Sequence, residues 1–126
     1  MKYMLLIYSA EAAWTEQERE DCYAESTQLT HQLQAEGRYL HSLPLHSVAT
    51  ATSVRVRDGK RLLTDGPFAE TYEQLGGYFL INAKDLDEAI AIAERIPSAR
   101  KGTVEIRPVV ELSEQLSELS KLPKNS

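Results

Sequence analysis

The sequence is poor in cysteine and in long apolar runs. Cys22 is the single cysteine among 126 residues, so neither an intrachain disulfide nor a zinc cluster of thiolates can form. The opening run, Met1 to Tyr8, is too short for a signal-peptide core, and no stretch reaches the length that spans a bilayer. These absences predict a cytoplasmic protein without a membrane segment. The apolar neighbours of Cys22 on a predicted helix face favour an inert core thiol over a reactive one.

Basic charge is also scarce. Lys and Arg number 14 against 19 Asp and Glu, which gives a formal net charge of −5, so a nucleic-acid partner is not expected. The sequence has no His-Glu-x-x-His pattern, no glycine-rich phosphate loop and no serine elbow. Metalloprotease, nucleotide-dependent and serine-hydrolase functions therefore have little support. We expect neither a metal nor a cofactor.

Length and composition predict one domain with one hydrophobic core. Apolar residues make up 42% and charged residues 26% of the chain, close to the averages of soluble globular proteins. A chain of this size buries a sufficient core without disulfides. We place the domain at residues 1–112 and interpret residues 113–126 as a C-terminal tail that is partly helical and then frayed.

The first half of the chain predicts a strand, a long helix and a second strand. Residues 2–8 are apolar on both alternating faces, as in a central strand. Thr15 and Glu18 form a capping box, and Gly37 ends a helix of about 20 residues. Residues 38–45 predict the second strand, which Pro44 interrupts. The inner stripe of the helix is expected to comprise Cys22, Ser26, Leu29 and Leu33, with His31 on the opposite face.

A hairpin and a second β-α-β pattern follow. Asp58-Gly59 between the extended segments 54–57 and 60–63 predicts a type I′ turn, and the alternation of Val with Arg predicts one solvated face. Residues 78–81 predict another central strand. Asp85 and Glu88 open a second helix, and residues 103–110 form the last strand. The expected inward residues of that helix are Leu86, Ala89, Ile90 and Ala93.

This order predicts an α+β, ferredoxin-like fold, β-α-β-(hairpin)-β-α-β. Two helices cover only one face of such a sheet, so the apolar residues of the other face need a partner. A second copy of the same sheet is the simplest candidate. We therefore expect a homodimer.

The segment after the hairpin carries a family likeness. Asp65-Gly66-Pro67-Phe68-Ala69-Glu70-Thr71, followed by Glu73-Gln74-Leu75-Gly76-Gly77-Tyr78, resembles the signature of the YCII-related family, in the branch named for its Asp-Gly-Pro-Phe (DGPF) motif. The opening strand, the Ala49-Thr50-Ala51-Thr52 segment and the Glu105-Ile106-Arg107-Pro108 segment extend this likeness over about residues 1 to 112.

The resemblance implies a dimeric α+β barrel with a cavity between two packed sheets. Most members of the family have no assigned reaction, and a few relatives are lyase-like enzymes that eliminate chloride from aromatic compounds. Some relatives use a His-Asp pair, but the matching positions here are Ser26 and Ala35, so that dyad is absent. Members of this branch are often encoded beside extracytoplasmic-function sigma factors, which implies a regulatory partner.

Two carboxylates and one histidine are the main candidates for chemistry. Asp65 ends a strand and shares a loop with Glu70, so the two acids are candidates for acid and base roles in one pocket. A structural turn built on Asp65 is the alternative. His46 lies where the chain crosses toward the hairpin, and its imidazole suits a base near neutral pH, although a surface-loop histidine is the rival interpretation.

Two hypotheses follow from these residues. In the first, a cofactor-free isomerase or lyase transfers a proton with Asp65 and His46 as the catalytic residues, in a cavity that binds a small molecule. Glu70, His41 and Tyr72 are the predicted binding residues, and Tyr72 stands where relatives commonly have Lys. In the second, the same dimer is a non-catalytic regulatory or ligand-sensing module linked to a sigma factor. A purely structural dimer is a third alternative.

Overall fold

The computed structural model describes residues 1–112; the predicted C-terminal tail, residues 113–126, lies outside them. Short 3₁₀ turns cover Glu11–Ala13, Val48–Thr50 and Pro97–Arg100. The strands and helices follow in the order β1 (Lys2–Ser9), α1 (Glu16–Ala35), β2 (Tyr39–Pro44), β3 (Thr52–Arg57), β4 (Lys60–Asp65), β5 (Gln74–Asn82), α2 (Leu86–Ala93) and β6 (Thr103–Pro108).

Four strands form one antiparallel sheet in the order β2-β5-β1-β6. The two runs that are apolar on both faces supply the central strands β1 and β5, as predicted. The edge strands β2 and β6 each end at a proline, Pro44 and Pro108. The chain is therefore α+β with two helices, and its topology is compatible with a ferredoxin-like fold.

The first helix begins and ends where the sequence predicts. The Thr15 hydroxyl accepts a hydrogen bond from the Glu18 backbone N–H at 3.1 Å, and a Glu18 carboxylate oxygen accepts from the Thr15 N–H at 3.0 Å. Gly37 has a φ of +74°, the left-handed conformation that ends helices. Leu29 and Leu33 are buried against the sheet. His31 is exposed, as expected.

The inward face of the second helix differs from its prediction. Asp85 caps α2 by accepting from the Glu88 N–H at 2.9 Å, but Leu86 and Ile90 are exposed. The buried residues are Ala89, Ile92 and Ala93, with Ile96 after them. This i, i+3, i+4, i+7 stripe faces the sheet, and its small alanines let the helix lie close to the strands.

One face of the sheet packs on both helices and holds the core, whose largest fully buried side chains are Leu5, Leu33, Ile81, Ile92 and Ile96. Within residues 1–112, no helix lies over the other face. Register places Met4 opposite Leu80 and Leu6 opposite Tyr78 on this second face. We call it the helix-free face; its central residues are Met4, Leu6, His41, Leu43, Tyr78 and Leu80.

Strands β3 and β4 form a separate two-stranded sheet, which we call the arm. Asp58 and Gly59 have φ values of +52° and +72°, which confirms the type I′ turn. The predicted solvated face is present, and in the described residues the opposite face is uncovered as well. Every residue of the two strands except Ser53 is exposed.

Candidate functional site

A cleft opens between the first half of α1 and the sheet, and it has a simple origin in residue size. Cys22 and Ser26 occupy the inner stripe of α1 there, opposite Gly76 and Gly77 of β5. Small side chains on the helix and none on the strand leave space that Leu29 and Leu33 fill further along the helix. Two adjoining cavities of about 360 and 290 Å³ result, which we call the helix–sheet cleft.

The absence of a side chain at Gly77 also serves the sheet. A Cβ atom at this position would lie 2.8 Å from the Leu43 carbonyl oxygen of the neighbouring strand. Any larger residue would push β2 away from β5. The glycine pair therefore lets the edge strand approach closely and leaves the cleft open at the same place.

His46 lies at the mouth of the larger cavity, and the residues beside it are fixed by Glu11. One carboxylate oxygen of Glu11 accepts from the Ser47 hydroxyl at 2.7 Å, and the other accepts from the Val48 backbone N–H at 3.0 Å. The Glu11 N–H in turn donates to the Gln74 side-chain oxygen at 2.9 Å. Glu11 thus ties the loop that carries His46 to the first strand and to the signature segment.

Trp14 forms part of the wall of the cleft and is held from two sides. Its indole N–H donates to the Ser9 hydroxyl at 3.1 Å. The Lys101 ammonium lies 4.9 Å from the centre of its ring, a cation–π contact. Lys101 also donates to the Ala13 carbonyl at 2.8 Å. These contacts give the rim of the cleft a fixed aromatic surface.

Glu18 completes the support of this rim. The Lys101 ammonium donates to the Glu18 carboxylate at 2.6 Å, and with the Thr15 backbone N–H it lowers the pKa of Glu18 from 4.5 to about 2. The carboxylate therefore stays charged at any physiological pH and keeps Lys101 in place over Trp14.

Arg19 brings a positive charge to the same cavity as His46. One guanidinium nitrogen donates to the Glu11 backbone carbonyl at 3.2 Å, and this bond positions the side chain on the cavity wall. A guanidinium binds carboxylates through paired N–H donors, and an imidazole exchanges protons near neutral pH. One cavity is thus lined by both a guanidinium and an imidazole.

The structure leaves the other predicted catalytic residue, Asp65, outside the cleft. Asp65 is exposed at the end of β4 and lines neither cavity. Within residues 1–112 its side chain has no hydrogen-bond partner. The Gly66 backbone fixes the turn here, since its N–H donates to the Ala51 carbonyl at 2.7 Å and its carbonyl accepts from the Ser53 hydroxyl at 2.9 Å.

The predicted binding residues are dispersed. Glu70 and Tyr72 are exposed in the loop between β4 and β5, and neither lines a cavity. His41 lies on the helix-free face, where its Nδ1 atom is 2.6 Å from the Tyr78 hydroxyl and the ring centres are 5.8 Å apart. Of the five predicted site residues, the protomer brings only His46 to the cleft.

Sequence reasoning missed the residues that surround His46, namely Glu11, Trp14, Arg19 and Tyr23. They lie in and just before the first helix, far from the signature segment in sequence. One signal was available. The single tryptophan, Trp14, immediately precedes the helix cap Thr15. The loop that leads to the hairpin returns to the same end of the sheet.

Two further observations bear on ligand classes. Within residues 1–112, no group of three or more His, Cys, Asp or Glu side chains is placed to hold a metal ion. In the same part of the chain, neither helix has the length and apolar character that crossing a membrane requires.

Comparison with known proteins gives two matches. A protein-family model described as the YCII-related domain matches residues 1–113. An uncharacterised protein of Rhizobium meliloti (strain 1021) is 32% identical over 114 residues, an alignment that covers 86% of this chain and 92% of the relative. The family likeness seen in the signature segment thus extends over the whole described domain.

Proposed function

Because the chain belongs to the YCII-related family, we propose that it binds a small organic acid in the helix–sheet cleft. His46 then moves a proton on this ligand, in an isomerase-like or lyase-like reaction that uses no cofactor. One observation carries the proposal: His46 and Arg19 line the same cavity of about 360 Å³. That volume suits a small molecule rather than a polymer.

The cleft favours an acid because the Glu11 carboxylate is already hydrogen-bonded, whereas the Arg19 guanidinium keeps N–H donors for a ligand. Both oxygens of the Glu11 carboxylate already accept hydrogen bonds from Ser47 and Val48. Arg19 uses one donor on the Glu11 carbonyl, and its other N–H groups face the carboxylate of the ligand. Trp14 supplies an apolar wall beside them. This arrangement orients an acid with its reactive carbon toward His46.

We propose that the working form is a homodimer in which two helix-free faces meet, as in a dimeric α+β barrel. Leu43 is 51% exposed on this face, and Leu6 and Leu80 are only half-buried beside it, so a second copy would remove apolar surface from water. His41 lies on this face, so its predicted binding role would apply only to a ligand held between the two sheets and not to one in the helix–sheet cleft. Light scattering at micromolar concentration should give twice the mass of one chain, and a monomeric mass would contradict this assembly.

Two finer assignments accompany this proposal. We place the chain in the DGPF branch of the family, on the motif that Asp65 begins. We also place the protein in the cytoplasm, where the lone thiol of Cys22 stays reduced. Asp65 remains a proposed acid, and since it lies outside the cleft of its own protomer, it would act only on a ligand held between two copies.

The experiment uses 2-oxobutanoate, which has a carboxylate and an acidic C–H bond. His46 would take a proton from the carbon beside the oxo group and return a deuteron from D₂O, so NMR would show loss of the C–H signal. We expect the protein to accelerate this exchange and His46→Gln to abolish the acceleration. His31→Gln, on the outer face of α1, is the matched control and should retain it.

Binding is measured separately through the fluorescence of Trp14, the only tryptophan in the chain. Saturable quenching by 2-oxobutanoate that Arg19→Gln weakens would support the binding role of the cleft. Failure of both quenching and exchange, with a panel of small carboxylates, would contradict the proposal. Quenching without exchange would overturn the proposed catalysis and favour the ligand-sensing module. The proposed partner of that module is an extracytoplasmic-function sigma factor. The family His-Asp dyad is absent, and Ser26, at one of its two positions, lies in the cleft. This absence favours the ligand-sensing module.

A further inference from the structure

In the part of the chain that the structure describes, no layer covers the arm, residues 52–65. Eleven of its twelve strand residues are exposed. A lone two-stranded hairpin is marginally stable in water unless it packs on another surface. The arm nevertheless has a regular register over its whole length, from Thr52 opposite Asp65 to Arg57 opposite Lys60. Packing on a further surface would therefore stabilise it.

One face of the arm is apolar. Val54 lies opposite Leu63 on this face, and Val56 is their neighbour opposite Arg61. These three apolar side chains are 57% to 62% exposed. Three adjacent aliphatic side chains on a strand pair form the kind of stripe that packs on a second apolar surface.

The charge of the arm is opposite to that of the rest of the chain. Residues 52–65 contain two anions, Asp58 and Asp65, and four cations, Arg55, Arg57, Lys60 and Arg61, for a net charge of +2. Since the whole chain has −5, the remainder carries −7. Within residues 1–112 none of the four cations forms an ion pair. The arm is thus complementary in charge to the body of another copy.

The size of the helix-free face points to the same partner. Four strands about 4.8 Å apart and six residues that rise about 3.4 Å each give a projected area of roughly 400 Å². A stable interface buries about 800 Å² on each partner. The arm is an exposed apolar surface that can add to the area this face buries.

We propose that each arm packs on the second copy of a homodimer, with Val54, Val56 and Leu63 in contact with the partner and Arg61, which lies on the same face of the arm, paired with a partner carboxylate. This inference rests on the homodimer proposed above and adds a second contact to it. The contact is reciprocal, since two-fold symmetry gives both copies the same interface. A nucleic acid is the rival ligand for a basic arm, but the −7 charge of the rest of the chain opposes it.

Two adjacent residues of β4 provide a matched test. Leu63 and Leu62 are similarly exposed, at 57% and 49%, but they point to opposite faces of the arm. Leu63→Asp should raise the dimer dissociation constant at least about tenfold, whereas Leu62→Asp, with the same change of charge, should change it less than about threefold. Analytical ultracentrifugation measures both constants. Raising the salt concentration should weaken the dimer, because exposed charge pairs are screened.

Hydrogen–deuterium exchange supplies an independent readout. Arm amides should be protected in the dimer and should lose protection on dilution to the monomer or in Leu63→Asp. Equal dimerisation of Leu63→Asp and wild type, or an unprotected arm in the dimer, would overturn the proposal. Arm protection by a random-sequence DNA duplex, with none from self-association, would overturn it in favour of nucleic acid.

A third variant distinguishes the proposed arm contact from the proposed contact between the two helix-free faces. Leu43→Asp changes the helix-free face and leaves the arm intact. If Leu43→Asp abolishes the dimer and Leu63→Asp does not affect it, the proposed arm contact is contradicted and the proposed face-to-face dimer is retained. A wild-type chain that is monomeric at micromolar concentration would contradict both the arm contact and the face-to-face dimer. Circular dichroism of the two Asp variants should match that of the wild type, because both leucines are exposed in the protomer.

Discussion

The four-stranded sheet and the arm consist of similar strands with opposite surroundings. Leu5 in β1 is completely buried, whereas Leu63 in β4 is 57% exposed, although both lie in regular antiparallel pairs. Backbone pairing therefore defines a strand, but a second layer decides whether its apolar side chains stabilise the fold. In this protein the helices supply that layer for one face of the sheet, and nothing within the described protomer supplies it for the arm.

Truncation of one leucine in each region tests most directly whether the sheet and the arm differ in their contribution to stability. Leu5→Ala should lower the free energy of unfolding by about 2 to 5 kcal/mol, because it leaves a cavity among close-packed neighbours. Leu63→Ala should change it by less than about 0.5 kcal/mol in the monomer, as for an exposed site. Urea unfolding at a concentration that keeps the chain monomeric measures both. Equal effects would contradict the distinction between core and arm.

A change at the turn tests whether the arm is a separate folding unit. Gly59→Val places a β-branched residue at a φ of +72°, at a cost of about 1 to 3 kcal/mol. Because the core does not depend on the arm, we expect this strain to melt the hairpin without shifting global unfolding. NMR shifts of residues 52–65 would become those of an unpaired chain while the core remains native. Gly59→Asn, which tolerates positive φ, is the control and should keep the hairpin.

Asp65 at the base of the arm should tolerate replacement. Its side chain is exposed and has no hydrogen-bond partner within residues 1–112, so Asp65→Asn and Asp65→Ala should each lie within about 0.5 kcal/mol of wild type in stability. Thermal unfolding measures this. A loss of 1 kcal/mol or more in the Ala variant alone would instead support the structural turn. If Asp65 acts on a ligand, Asn should keep the fold and slow proton exchange.

The smallest expected effect concerns Glu18 at the rim of the cleft. Its pKa is lowered to about 2 by Lys101, so its contribution to stability is present above its ordinary value of 4.5 and is lost as the pH falls toward 2. Glu18→Gln keeps the capping-box geometry but removes the charge. The two proteins should thus differ slightly near neutral pH and converge near pH 2 in thermal scans. Glu20→Gln, on the outer side of the same helix, should follow the wild type throughout.

Local signals predicted most of the fold because the responsible interactions are local. The capping box at Thr15, the left-handed Gly37 and the Asp58-Gly59 turn each depend on residues that are neighbours in sequence. The inward stripe of α2 was misjudged at Leu86 and Ile90, since its placement depends on how closely Ala89 and Ala93 let the helix approach the sheet.

The candidate site was much less predictable. His46 was identified by its residue type, but its neighbours Trp14 and Arg19 come from another part of the chain. The cleft itself results from missing volume at Ser26 and Gly76. Sequence patterns record apolar side chains that are present, and they do not record a gap between two elements that fold together. The acids of the signature loop were expected to converge because they are close in sequence, yet Asp65 and Glu70 both face solvent.

The two prolines at the edges of the sheet have a consequence for how this protein can associate. Pro44 and Pro108 end the edge strands β2 and β6. Proline has no N–H to donate, so a strand from another chain that paired along either edge would lose a rung of its hydrogen-bond ladder at that point. Growth of the sheet by edge addition, the route to domain-swapped polymers and fibrils, is therefore hindered at both sides. This hindrance is consistent with the proposed face-to-face dimer.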